Sequence, residues 1–122
     1  MNPKTHKFCG VKYKIAYRKI KKSDYLNKQM KAPKKFPPIE ELTGLCQPPD
    51  VKHPKIVLDL VGLDAEEELA TVLDEAIHAC HFTIPDKRVD RMSDSIAAFL
   101  LKLGYRRIDT TKHAERRKEK TT

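Results

Sequence analysis

Two stretches with helical spacing, one running to His81 and the next beginning at Asp86, are divided by Phe82-Thr83-Ile84-Pro85. Proline has no backbone donor and its ring collides with the preceding turn, so one helix cannot run through position 85. The pattern predicts two successive helices, about Ala65–His81 and Asp86–Leu103, the second closed by Gly104 at the usual C-terminal position. Asp64 is the N-cap of the first, with Glu67 three residues on and acids crowding the first turn, where the helix dipole favours them. In the second, Val89, Met92, Ile96, Phe99, Leu100 and Leu103 share one stripe, which marks that helix as core scaffold.

Upstream the period changes to two. Val11, Tyr13, Ile15 and Tyr17 alternate with Lys12, Lys14, Ala16 and Arg18, as in a strand with one buried face and lysines outward. Leu42–Leu45 is a short strand that runs into Cys46-Gln47-Pro48-Pro49-Asp50, where paired prolines stop a ladder. Lys55–Leu60 is β-rich and suits a more central strand. The expectation is an α+β domain: a small, three-stranded, antiparallel-leaning sheet packed on two main helices. At 122 residues the chain has room for one such core. Residues 1–10 read as a basic arm, 11–108 as the domain and 109–122 as a basic tail without apolar spacing. From Lys19 to Pro38 a Lys-rich stretch with Pro33, Pro37 and Pro38 reads as a long connection, with a helical turn around Asp24–Met30.

Charge follows the same division. Residues 1–36 hold 12 basic residues and 1 acidic, residues 37–104 hold 6 and 13, and residues 105–122 hold 7 and 3. An acidic middle between basic ends points to acidic protein subunits or nucleic acid as partners, held by counterion release. There is no Cys/His finger spacing, aromatic RNA-binding signature or heptad repeat, so nucleic acid would be held without sequence preference. Three cysteines, Cys9, Cys46 and Cys80, form no Cys-x-x-Cys pair, which argues against a disulfide framework and for a reducing compartment. No apolar run approaches the roughly 18 residues of a membrane span, and MNPKTHKFCG has no apolar core of a secretory signal. The expected location is the cytoplasm, without membrane attachment.

The first helix has one face that could carry chemistry. With Leu69 at zero and about 100° per residue, Val72, Leu73, Ala76 and Cys80 fall within roughly 60°, a stripe expected to be buried. Asp74, His78 and His81 fall at roughly 140°, 180° and 120°, with Glu75 flanking at roughly 240°. Imidazole and carboxylate are ordinary zinc ligands, and a spacing of four brings two onto one ion. The same face also reads as the solvent side of an amphipathic helix.

The stretch from Gly44 to Arg107 resembles the minimal zincin-like, SprT-like metallopeptidase domains found as small proteins of bacteria and their phages. The parallels are Gly-x-Cys-x-Pro-Pro (Gly44, Cys46, Pro48, Pro49), a β-run before an acidic helix start, the segment LDEAIHACHF, and a second helix ending in FLLKLGYRR. The family's active helix carries His-Glu-x-x-His. Alignment places Asp74 at the first His, Glu75 at the Glu and His78 at the second His. By this resemblance Glu75 is the general base, His78 a Zn²⁺ ligand and Asp74 a substituted ligand; the bound ion lowers the pKa of its water towards roughly 7. Asp90, or His81 one turn beyond His78, stands for the third ligand. Aspartate is shorter than histidine, and its charge makes the ion a weaker Lewis acid.

The expectation is therefore a degenerate zincin-like domain, inactive as a peptidase, with Zn²⁺ weakly bound or lost, acting as a binding or structural component of a larger assembly such as a phage particle. The resemblance thus adds host cytoplasm or the virion to the expected locations. Two alternatives stand beside it: a zinc-dependent metallopeptidase using Glu75 as base, and a nucleic-acid-binding module working through the basic ends.

Overall fold

The computed structural model describes residues 2–25 and 42–107. In chain order the elements are β1 (Thr5–Phe8), β2 (Val11–Tyr17), a 3₁₀ turn (Lys22–Asp24), β3 (Gly44–Cys46), β4 (Lys55–Leu58), α1 (Ala65–Cys80) and α2 (Asp86–Lys102). The fold is α+β, with a four-stranded mixed sheet in the order β1-β2-β4-β3 and two helices.

The strand count corrects the three expected. The extra strand, β1, lies inside residues 1–10, the stretch read as an arm; its alternation lasts only four residues, too short to stand out. It pairs antiparallel with β2, Phe8 facing Val11, across the two-residue turn Cys9-Gly10. Both turn residues are left-handed, at φ 47° and 88°, the geometry whose twist suits a tight hairpin. Glycine takes it freely, and Cys9 accepts it at a small steric cost. The sheet is also less antiparallel than expected, because β2 and β4 run parallel, Lys14 beside Lys55 and Tyr17 beside Leu58. Strand β3 closes the far edge antiparallel to β4.

Alternation along the strands feeds two apolar clusters. Tyr13, Cys46, Ile56, Leu58, Leu60 and Ala79 form the one beneath α1, with Phe8, Ile15, Val72 and Phe82 packed on it. Ile20, Leu45 and Val57 form the other, covered by Ala16, Tyr25 and Leu42. Buried polar groups tie the connections to the sheet. Tyr13 donates its hydroxyl to the Gln47 carbonyl at 2.9 Å. Gln47 donates to the Asp24 carbonyl at 3.0 Å and accepts from Lys55 N at 2.9 Å. Asp24 is buried and receives a forked pair of bonds from Arg18 at 2.8 and 2.6 Å. A 3₁₀ turn at Lys22–Asp24 ends where the helical turn expected at Asp24–Met30 begins; Tyr25 is extended, and residues 26–30 lie outside the described residues. The tail 109–122 lies outside them too.

Helix α1 begins where the capping pattern placed it. Asp64 accepts from Glu67 N at 2.8 Å, and Glu67 answers to Asp64 N at 3.3 Å. Its buried residues are Glu68, Glu75 and Ala79, while Cys80 is exposed; the stripe centred on Leu69 is therefore turned from the one expected. On α2 the buried residues are Val89, Ser93 and Ala97. The expected stripe is split: Val89 packs inward, whereas Ile96, Phe99 and Leu103 are exposed. Serine and alanine let the two helix backbones approach closely, so the small side of α2 packs on α1 and the larger apolar side chains stay outside. Among the described residues no helix is long and apolar enough to cross a membrane.

Candidate functional site

The turned α1 brings its acidic face under the sheet. Thr71 and Glu75, one turn apart, meet β3 and the residue before it: the Thr71 and Thr43 hydroxyls are 3.0 Å apart, and Glu75 lies against Gly44. A Cβ at position 44 would stand 2.5 Å from Glu75 Oε2 and 2.9 Å from its Cγ. Glu75 is only 8% exposed. Burial pushes its carboxyl above the ordinary range, and His78 beside it pulls the other way.

His78 links α1 to the start of α2. Its Nδ1 is 3.6 Å from Glu75 Oε1, and its Nε2 is 3.1 Å from Asp86 Oδ1. The Glu75 carboxyl is the main reason the imidazole holds its proton above the usual range, with Asp86 and Asp74 adding to it against burial. Glu75, His78 and Asp86 thus form a carboxylate–imidazole–carboxylate chain from the buried helix face to the surface.

Asp74 faces α2. Burial is the main cause that pushes its carboxyl up to about 7, and Asp90 on α2 adds to it. The Ser93 hydroxyl lies toward the same carboxyl, yet Asp74 Oδ1 and Ser93 Oγ are both buried without completing a hydrogen bond. His81, the helix C-cap, is exposed, with the Thr83 hydroxyl 3.4 Å from its Nδ1.

Of the residues singled out in the sequence, Asp74 meets Asp90, Glu75 meets His78, and His81 stands apart from both pairs. Zinc, which the resemblance implies, needs three protein donors around one point. Among the described residues no group of three or more His, Cys, Asp or Glu side chains could hold a metal ion. The donors that do meet, Glu75, His78 and Asp86, are strung through the two ring nitrogens of His78, one carboxylate on each, and not gathered around one point. Chemically, burial and the nearby Asp90 favour the protonated form of Asp74, and Glu75 beside His78 favours the imidazolium.

Three members of this constellation escaped the sequence reading of the helix face. Gly44 appeared only as a motif letter, although its missing side chain makes the space Glu75 fills. Asp86 is the first residue of α2 and appeared only as a helix start. Ser93 sits on the small-residue side of α2, which a search for large apolar residues passes over. Cys80 is drawn to the Cys9 thiol at the hairpin turn, a contact that raises its pKa; both thiols are exposed. Cys46 behaves as a core residue, its thiol pushed up to about 12 by burial.

No protein-family model matches the chain, and neither a curated protein nor a solved structure shows significant similarity to it.

Proposed function

We propose that this chain is a zincin-like domain in which the active helix has become a structural element, and that it serves as a binding or structural component of a larger assembly rather than as a peptidase. The observation that carries the reading is the engagement of Glu75. The residue aligned with the family's general base is buried against Gly44 and paired with His78, and His78 is in turn held by Asp86. Asp74, aligned with a metal ligand, is directed to Asp90 instead. Groups so engaged fasten α1 to β3 and to α2. The test is elemental analysis of full-length protein purified without chelator, with peptidase assays of the wild type and Glu75→Gln. The reading expects sub-stoichiometric zinc and no Glu75-dependent cleavage; stoichiometric zinc with activity abolished in Glu75→Gln would refute it and restore the metallopeptidase.

A second reading, non-specific nucleic-acid binding, has one specific observation in its favour. Lys7 lies directly opposite Lys12 in the β1–β2 pair, and Lys14 is registered beside Lys55 across β2 and β4. Like charges placed opposite each other weaken a sheet by about 0.2–1 kcal/mol relative to a neutral pair, and a polyanion laid along them would remove that cost. This reading expects duplex binding that falls steeply with salt and weakens in Lys7→Gln/Lys12→Gln. Salt-insensitive binding, or none, removes it.

A further inference from the structure

Helix α2 leaves a row of large apolar side chains uncovered. Ile96, Phe99 and Leu103 are 41, 60 and 59% exposed, and Met92 is partly exposed. With Phe99 at zero and about 100° per residue, Met92, Leu103 and Ile96 fall at about 20°, 40° and 60°. Val89, Ser93 and Ala97, which are buried, occupy about 80° to 160°. The open row therefore lies beside the contact with α1 and is not part of it. Its spacing of four, three and four residues is that of a seam on which a second helix packs.

Charge borders the seam on one side. Arg88, Lys102 and Arg91 fall at about −20°, −60° and −80°, all exposed and none in an ion pair with a described residue. Asp94 lies farther round, at about −140°. The result is an apolar strip with a cationic margin, on a helix anchored along its other side.

We propose that this face of α2 is a docking surface for an acidic amphipathic helix of another protein, whose apolar side chains enter the seam while its carboxylates meet Arg88, Arg91 and Lys102. The proposal rests on the reading of the chain as a binding component and names the chemistry of the partner. Charge selects this occupant. The chain's own segments outside the described residues, 26–41 and 108–122, carry 4 basic against 2 acidic and 5 basic against 3 acidic residues, so they bring like charge to a basic margin. A second copy docked antiparallel would set Arg88 and Arg91 against the partner copy's basic margin. Nucleic acid would satisfy the cations and leave Phe99 in water. An acidic amphipathic helix satisfies both halves of the surface.

The test uses the full chain and three labelled synthetic peptides read by fluorescence anisotropy. One has a Leu/Ile seam at heptad spacing with glutamate flanks, one has the same seam with lysine flanks, and one keeps the glutamates with serine in the seam. The first is expected to bind, the other two at least about tenfold more weakly. Phe99→Ser, and separately Arg88→Glu/Arg91→Glu, should each weaken the first peptide about tenfold or more. Helix content and thermal midpoint by circular dichroism check that Phe99→Ser is folded, and Ile96→Ala replaces it if it is not. Equal or absent binding of the peptides, or wild-type affinity in the variants, overturns the proposal. So does a wild-type dimer that Phe99→Ser dissociates, which gives the seam to a second copy. Tighter binding to phosphatidylserine vesicles, lost in the same variants, gives it to a membrane and overturns it too. Glu75-dependent peptidase activity would defeat the binding-component reading while leaving the peptide result untouched; an inert chain that ignores the acidic peptide defeats only the assignment to α2.

Discussion

Glu75 and Gly44 fit as a side chain against a bare backbone: a β-carbon on Gly44 would come within 2.5 Å of the Glu75 carboxylate and 3.1 Å of its Cδ. Because Glu75 is buried, any movement of its carboxylate away from a new β-carbon has to be taken up inside the fold. Gly44→Ala is expected to destabilise the fold by about 1–3 kcal/mol, the usual cost of overpacking. Urea unfolding of Gly44→Ala, Glu75→Ala and the double variant measures it. A coupling energy of about 1 kcal/mol or more, with the double variant less unstable than the two singles added together, confirms the contact; strict additivity denies it.

Proton linkage gives the fold an acid-leaning stability. Asp74, Glu75 and His78 all hold protons more tightly folded than unfolded. Each therefore contributes stability that is complete below its unfolded pKa and lost as pH rises through the folded one. For Asp74 the window runs from the ordinary 3.8 up to about 7. Asp24 works in the opposite sense. Arg18 is the main cause that lowers its pKa, so its contribution is present above the ordinary range and lost as pH falls. The urea midpoint should thus fall between about pH 5 and about pH 8. Asp74→Asn should flatten that fall by about 1–2 kcal/mol, after allowing for solvent screening at a partly exposed site. A midpoint that rises across this range, or a slope unchanged in Asp74→Asn, contradicts the assignment.

Arg18 supplies both prongs of the bond to a carboxylate that also accepts from Lys21 N at 2.7 Å. Asp24 is 3% exposed, so Arg18→Ala leaves a buried charge with one backbone donor. The expected loss is about 2–4 kcal/mol, less than for a fully enclosed pair because Arg18 is partly solvated. Arg18→Lys should recover only part of it, since an ammonium cannot reproduce the fork. Equilibrium unfolding of the two variants, read at neutral pH, decides the point.

The cross-strand lysines predict a change of the other sign. Lys7→Glu replaces repulsion opposite Lys12 with attraction and should stabilise the chain by about 0.2–1 kcal/mol. The same variant should bind duplex DNA more weakly if the hairpin carries phosphate contacts. Thermal unfolding and a salt-titrated binding assay separate the two effects.

Much of this fold was legible from local signals. Pro85 divides the helices, Asp64 and Glu67 start α1, and Gly104, at φ 95°, ends α2. Alternation placed β2, with Tyr13 inward and Lys12 and Lys14 outward. What the sequence did not reveal was which helix face turns inward, because distant partners decide it. Glu68 is drawn under by Arg107, 2.6 Å away and 39 positions later, and Glu75 by the missing side chain at Gly44. A helical wheel weights Leu69 and Cys80 by hydrophobicity and sees neither partner. On α2 it favours Phe99 over Ser93, although the small residue allows the closer approach. The candidate site was less legible: the helical wheel set Asp74, His78 and His81 on one face with Glu75 beside it, and the pairing of Glu75 with His78 and Asp86 depends on Gly44 and on where α2 begins.

Strand β4 lies between β2 and β3, and its register with β2 brings residue 14 beside residue 55. The β1–β2 hairpin is a local pairing, whereas the three-residue β3 pairs, among the described residues, with β4 alone. Closing the long span between β2 and β4 costs chain entropy before any of those contacts is gained. The sheet is thus joined at its centre by its most distant pairing in sequence, and that join, not either edge, carries the entropic cost of bringing the two parts of the chain together.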